Sequence, residues 1–223
     1  MEKSRKLSLC LLTATACIGF NSLAAIVINE FDYDQAGADT AEFIELFNTG
    51  DLITSLDNYS IDLINGLNSS AYRSIDLTGF SIGGSDYFVV CGDASQVLNC
   101  DYSFTSTSGW LQNGAPDAIA LFENASLLDS ISYEGFLALQ TEGDALTIKD
   151  NNSTTVSISR IIDGMDSNNN AFDFELGCLT PGSQNIAGSG NCSVASVSAV
   201  PVPAALWLFG SGIIGVAGFA RRS

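Results

Sequence analysis

Apolar runs of four to seven residues alternate with clusters of Gly, Asn, Asp and Ser along the middle of this chain. The runs predict strands at 26–31, 42–48, 59–64, 72–77, 87–90, 118–122, 127–133, 146–149 and 156–161. Between them lie turn formers: Asn65-Gly66, Gly83-Gly84, Asn113-Gly114-Ala115-Pro116, and 150–153. Many short strands at this spacing, with no sustained helical period, point to an all-β sandwich or barrel. One stretch, 135–142 around Phe136-Leu137-Ala138-Leu139, has helical spacing but is too short to change the class.

Both ends break the pattern. Lys3, Arg5 and Lys6 precede an apolar run from Leu7 to Phe20, and Ser22-Leu23-Ala24 offers small residues for cleavage after Ala24, with Ala25 close behind. This order predicts a signal peptide over 1–24. Cys17 raises a lipoprotein signal and an uncleaved anchor is a further alternative, but Ala14-Thr15-Ala16 lacks the usual leucine at −3. At the other end, Val200-Pro201-Val202-Pro203-Ala204-Ala205 leads into 17 uncharged residues, 204–220, and then Arg221 and Arg222. Seventeen residues are at the short limit for a membrane-spanning helix, and the arginines would stay on the cytoplasmic side. The three-part order resembles the PEP-CTERM sorting signal, in its Val-Pro-x-Pro-Ala-Ala variant. That resemblance implies an exosortase-type processing enzyme as partner and a precursor held in the inner membrane. Pro201 and Pro203 cannot extend the helix backwards, so cleavage is expected at or beside 200–205; a permanent single-span anchor is the alternative. The expected plan is signal peptide 1–24, sandwich domain 25–185, flexible spacer 186–199 and sorting signal 200–223.

Charge sharpens once the ends are set aside. The net charge is −17, and every acidic residue except Glu2 lies in the domain, against only Arg73, Lys149 and Arg160. Such a surface repels phosphate backbones, so nucleic-acid binding is not expected; solubility outside the cell accounts for the charge equally well. Four cysteines remain after export. An even number in a secreted domain reads as disulfides with three connectivities, of which proximity favours Cys91–Cys100 and Cys178–Cys192.

Two acidic turns offer oxygen ligands. In the segment 32–45, Asp32, Asp34, Asp39 and Glu42 surround Gly37, a donor set suited to calcium. The bland reading is a solvated acidic turn. In 163–175, Asp166, Asn168 and Asn170 match the first half of an EF-hand loop, but Ala171 and Gly177 stand where that loop needs Gly and Glu. An Asx-rich turn explains the same residues. No histidine is present, which removes the usual base of serine and cysteine hydrolases. Paired carboxylates could still serve a polysaccharide hydrolase, but with this many acids a chance pair is expected.

Ile28-Asn29-Glu30-Phe31 and then Glu42-Phe43-Ile44-Glu45-Leu46-Phe47-Asn48 resemble the opening of the lamin-tail domain. The stretches Tyr87–Cys91, Asp117–Leu121 and Leu128–Tyr133 resemble its later strands, and Thr180-Pro181-Gly182-Ser183-Gln184-Asn185 its end. The resemblance covers about 25–185. It implies an immunoglobulin-like β-sandwich that is exported and binds rather than catalyses, with no catalytic residues to carry over. The expected role is a cell-surface or extracellular-matrix module with a polysaccharide or protein ligand. The alternatives are an accessory module for a separate hydrolase and a carboxylate-based polysaccharide hydrolase.

Overall fold

The computed structural model describes residues 26–104 and 109–188; the signal segment, the sorting tail and Cys192 lie outside them. No helix among the described residues is long and apolar enough to cross a membrane.

Strand β1 (Ile26–Asp32) shows how the sequence builds the sandwich. Ile26 and Ile28 join the core, and after a slip of phase Phe31 and Tyr33 join it. The register to β2 (Phe43–Asn48) slips at the same place: Ile28 lies opposite Leu46, but Glu30 lies opposite Glu45. Asn29 is the extra residue of a β-bulge. Side chains alternate with period two, so one inserted residue keeps both halves of an interrupted apolar pattern on one face.

The larger sheet runs in the order β13 (Ile186–Ala187), β12 (Phe174–Cys178), β11 (Ser157–Arg160), β1, β2, β7 (Tyr87–Cys91) and β8 (Cys100–Ser103). The smaller runs β10 (Ser126–Tyr133), β9 (Asp117–Glu123), β4 (Tyr59–Asn65) and β5 (Ser70–Asp76). A two-residue pair, β3 (Thr54–Ser55) with β6 (Ser81–Ile82), stands apart. Pairing is antiparallel except between β7 and β8. Ile44, Leu46, Phe88 and Val90 from the larger sheet meet Ile61, Leu63, Ile119, Leu121 and Ile131 from the smaller. Each such side chain, fully buried, contributes about 1.5–3 kcal/mol. Phe31, Tyr33 and Tyr133 stack at one end of this core, with ring centres 4.6–6.2 Å apart.

Both sheets also carry cover on their outer faces. The loop between β7 and β8 lays Val97 over Phe43 and Val89, and the Cys91–Cys100 disulfide ties it down. Cys178 is also disulfide-bonded; its expected partner Cys192 lies outside the described residues. On the smaller sheet Leu137 covers Ala118, Ala120 and Ile64. That cover corrects one expectation. The 135–142 stretch is not a helix but a single turn, with Gln140 and Thr141 both donating to the Leu137 carbonyl. Leu139, at 74% exposed, has nothing to bury against, so helical spacing alone does not hold a helix.

Three further expectations change. The stretch 146–149 forms no strand, although Leu146 joins the core. The one described helix, α1 (Asn170–Asp173), is a single turn inside the Asx-rich segment. Ile186 and Ala187, expected to begin the spacer, pair with Cys178 and Gly177 as β13, so the domain continues past 185.

Candidate functional site

The acidic turn after β1 does not gather its carboxylates. Asp32 is buried, and its Oδ1 accepts from the Asp34 amide (3.3 Å) and Gln35 Nε2 (2.8 Å). Asp39 accepts from the Gln35 amide (3.1 Å) and from Asn113 Nδ2 (3.1 Å). Gln35 Oε1 in turn accepts from the Ala41 amide (3.1 Å). The Gln35 side chain therefore links Asp32 to Ala41 across the turn, where a cation would have to do so. Glu42 points elsewhere, with Oε2 accepting from the Trp110 amide at 2.7 Å, and burial pushes it up to about 8. Asp32 instead faces Asp150. Burial and then that neighbouring charge raise Asp32 well above the usual carboxylate range, and burial raises Asp150 to about 6. Among the described residues, Asp32, Asp34, Asp39 and Glu42 do not supply three ligand oxygens that converge; another set does.

A second group of buried acids holds the end of the domain. Glu30 and Glu45 are opposed across β1 and β2, and both are fully buried. Glu30 Oε1 accepts from Ser157 Oγ (2.6 Å) and the Thr180 amide (2.9 Å), and Oε2 accepts from Thr180 Oγ1 (2.7 Å). Glu45 accepts from Asn29 Nδ2 (2.8 Å) and the Gly182 amide (2.6 Å). Gly182 has φ +75°, and a side chain there would meet Asn99, so glycine is required at this contact. Asn185 donates to the Arg160 carbonyl at 2.9 Å, and its amide donates to Asp163 at 3.1 Å. Burial raises Glu30 to about 7, the donated hydrogen bonds limiting the rise. Burial and then the charge of Glu30 raise Glu45 to about 9.

The third group surrounds Arg160, which is 1% exposed at the end of β11. Its Nε donates to the Ile28 carbonyl (2.7 Å) and Nη1 to the Met165 carbonyl (2.7 Å). Nη2 lies 2.9 Å from Asp129, and Nη1 lies 3.3 Å from Asp173 and 3.6 Å from Asp166. Phe174 stacks on the guanidinium, its ring centre 4.6 Å from Cζ. Asp166 also accepts from the Asn168 amide (3.0 Å), so the Asx-turn reading of this loop holds at that position. Glu142 approaches from the turn beyond β10. Burial, and then the charges of Asp129 and Asp166, push it up to about 8.

At one end of the sandwich an open cleft of about 570 Å³ lies between the β4–β5 turn and the segment before β9. Asn65, Leu67, Gln112, Asn113, Pro116 and Asp117 line it. Asn65 Nδ2 donates to Gln112 Oε1 (2.7 Å), and Asp117 holds the amides of Gly66 and Gly114 (both 3.1 Å). Leu67 is 94% exposed beside these amides.

The family model of the Lamin Tail Domain matches residues 21–135, just over half of the chain. The chain belongs to the lamin tail domain family. Among solved structures, a crystal structure of a DUF4876 family protein from Bacteroides thetaiotaomicron is similar, with a TM-score of 0.51 at 10% identity. The match covers 80% of this chain and 75% of that one, and it speaks to the fold alone. No curated protein matches.

In this lamin tail domain the motif residues have legible work. The acids of the opening strands lie on the outer face of the larger sheet and hold the closing Thr180–Asn185 segment against it, a segment that lies beyond the matched residues. Asn48 does the same locally, its Nδ2 donating to the carbonyls of Leu52 (2.9 Å) and Gly83 (2.8 Å). Sequence reasoning missed Asp129, Glu142 and Arg160 as a group. Arg160 was the available signal: it is one of only three basic residues in the domain, and it directly precedes Ile161-Ile162 at the end of a predicted strand.

Proposed function

We propose that this chain is an exported, non-catalytic binding module of the cell surface or extracellular matrix. On this reading the leader directs export, an exosortase-type enzyme processes the tail, and the sandwich presents the amide-lined cleft to an extracellular polysaccharide. The observation that carries the binding half is the cleft itself. It offers side-chain amides, two carboxylates (Asp39 and Asp117) that already accept from the chain's own amides, and an exposed Leu67, and it contains no histidine, serine or cysteine among its lining residues. Amides that both donate and accept, beside an apolar contact, suit sugar hydroxyls better than they suit a proton-transfer reaction. The buried acids support the non-catalytic half, because Glu30, Glu42 and Glu45 are engaged with the chain's own backbone amides.

One experiment addresses both halves. Affinity electrophoresis of the purified exported protein through a panel of bacterial polysaccharides is expected to show retardation by at least one, weakened in Asn113→Ala and Leu67→Ser. Reducing-end release is measured on the same polysaccharides. Release of new ends by the protein would overturn the non-catalytic reading, and absence of retardation across the panel would overturn the polysaccharide ligand. Intact-mass measurement of protein recovered from the cell surface tests sorting, with loss of both the leader and the tail beyond 200–205 expected.

A further inference from the structure

We propose that Asp129, Glu142 and Asp166 bind a calcium ion where β10, the turn ending at Glu142 and the loop before α1 meet. Each of the three offers a carboxylate oxygen, and these oxygens all lie within 4.8 Å of one another. Calcium–oxygen distances of about 2.3–2.6 Å place oxygens on opposite sides of the ion about 4.6–5.2 Å apart, so the three oxygens lie within the span of a shared ion's ligands.

Proximity of acids alone would not carry this. The second observation is what their remaining oxygens do. Asp129 is 1% exposed; its Oδ2 accepts from the Ile28 amide at 2.7 Å and from Arg160, but its Oδ1 is buried with no partner. Glu142 repeats the arrangement, with Oε1 accepting from the Ser130 amide at 3.2 Å and Oε2 buried with no partner. Ser130 Oγ and Asn169 Oδ1, on flanking residues of the same segments, are also buried without partners. Four of the seven such atoms among the described residues therefore belong to this one junction. Elsewhere Glu42 Oε1 and Asp150 Oδ2 are single unpartnered carboxylate oxygens, whereas the Glu30–Glu45 pair is met by three donors on Glu30 and two on Glu45. Buried polar atoms are nearly always satisfied, and a local cluster of exceptions marks an absent ion or water.

Arg160 does not complete the group. It faces Asp129, Asp166 and Asp173, and with Glu142 the junction holds four carboxylates against one guanidinium. Asp173 is further engaged by Ser167, whose Oγ donates at 2.6 Å. A divalent ion would bring the balance close to neutral. The donor set is oxygen only, which favours a hard cation over zinc or copper. Magnesium needs near-ideal octahedral geometry and keeps several waters, which a buried junction with carboxylates from three separate segments suits poorly. Ser130 Oγ and Asn169 Oδ1, with water, would supply the neutral ligands of a six- to eight-coordinate calcium.

The test is calorimetric titration of the purified exported protein, stripped with chelator, with calcium chloride at fixed ionic strength. One ion per chain is expected, and a melting temperature raised by roughly 5–10 °C at a hundredfold excess over the dissociation constant. Glu142→Gln and Asp166→Asn preserve side-chain shape and should each weaken binding at least tenfold, whereas Asp51→Asn, an exposed acid elsewhere, should not. No calcium heat and no melting shift in the unaltered protein would overturn the proposal. So would unchanged affinity in both Glu142→Gln and Asp166→Asn. Magnesium binding as tight as calcium binding would overturn the choice of ion.

Discussion

The Glu30–Glu45 pair and the Arg160 junction bury carboxylates at similar depth but neutralise them differently. The first pair is held by neutral donors: two hydroxyls, one side-chain amide and two backbone amides. Nothing there is charged except the acids, and each lies beside the other. Protonation is thus the natural way to lower their cost, which is why burial raises both. The second group has a true counter-ion, Arg160, but too little positive charge and several oxygens with no donor. One arrangement is self-sufficient and tuned by protons. The other depends on a single guanidinium and remains electrostatically incomplete. The comparison teaches that acid richness in this domain has two unrelated uses.

The largest expected effect comes from removing the guanidinium. Arg160→Leu leaves Asp129 and Asp173 buried without their counter-ion, and breaking one side of a buried ion group costs about 3–5 kcal/mol. Urea denaturation should show that loss as a large fall in midpoint or as failure to fold. Glu45→Gln, which mimics the protonated acid, should cost much less. Equal losses for the two variants would erase the distinction drawn here.

The proton-tuned pair has its own signature. Folded Glu30 and Glu45 bind protons more tightly than the unfolded chain does, since their ordinary value is 4.5 and their folded values are about 7 and about 9. Their contribution is therefore complete below about pH 4.5 and lost as pH rises through 7 and 9. From Glu30 alone the loss is roughly 3 kcal/mol, at about 1.4 kcal/mol per unit. Stability measured by denaturant from pH 5 to 9 should fall, and Glu45→Gln should flatten the upper part of that fall. A rise in stability across the window would break the account of how this pair is neutralised.

Much of the sandwich was legible because its strands announce themselves. In β4, Tyr59, Ile61 and Leu63 alternate with polar residues, and the expected strand at 59–64 is found at 59–65. Strands that depend on their neighbours were not legible. In β12, Phe174–Cys178 includes Glu175 and Gly177, and it is a strand because Ser157–Arg160 lies beside it. The family motifs were visible as residues, but their use was not. Glu30 and Glu45 look like exposed acids in a half-polar strand, and only the return of Thr180–Gly182 over that face makes them interior. The Arg160 junction joins residues 31 and 13 positions away in sequence, and no local pattern encodes such a meeting.

A covalent counterpart to the Glu30–Glu45 clamp lies on the same sheet. The Cys91–Cys100 disulfide holds the loop that carries Val97, where the clamp uses hydrogen bonds to hold 180–185. Closing a loop of this length is worth about 2–3 kcal/mol on the chain-entropy model. Cys91→Ala with Cys100→Ala should lose that amount at every pH from 5 to 9, because no titrating group is removed. A loss that varied with pH would mean the loop and the clamp act as one unit.

The smallest effect sharpens the contrast between expected and observed acid sites. Asp39 lies in the turn that sequence alone favours for calcium, yet its oxygens are engaged by the Gln35 amide and Asn113 Nδ2. Asparagine keeps an acceptor for the first of these contacts at a half-exposed position. Asp39→Asn should therefore cost less than about 1 kcal/mol. It should also leave any calcium-induced rise in melting temperature intact, measured against a monovalent salt at equal ionic strength to remove general screening. If the rise instead disappeared in Asp39→Asn and persisted in Glu142→Gln, calcium would belong to the turn after β1. Gln35 would then have to give way to the ion, and the buried junction would have to be satisfied by protons alone.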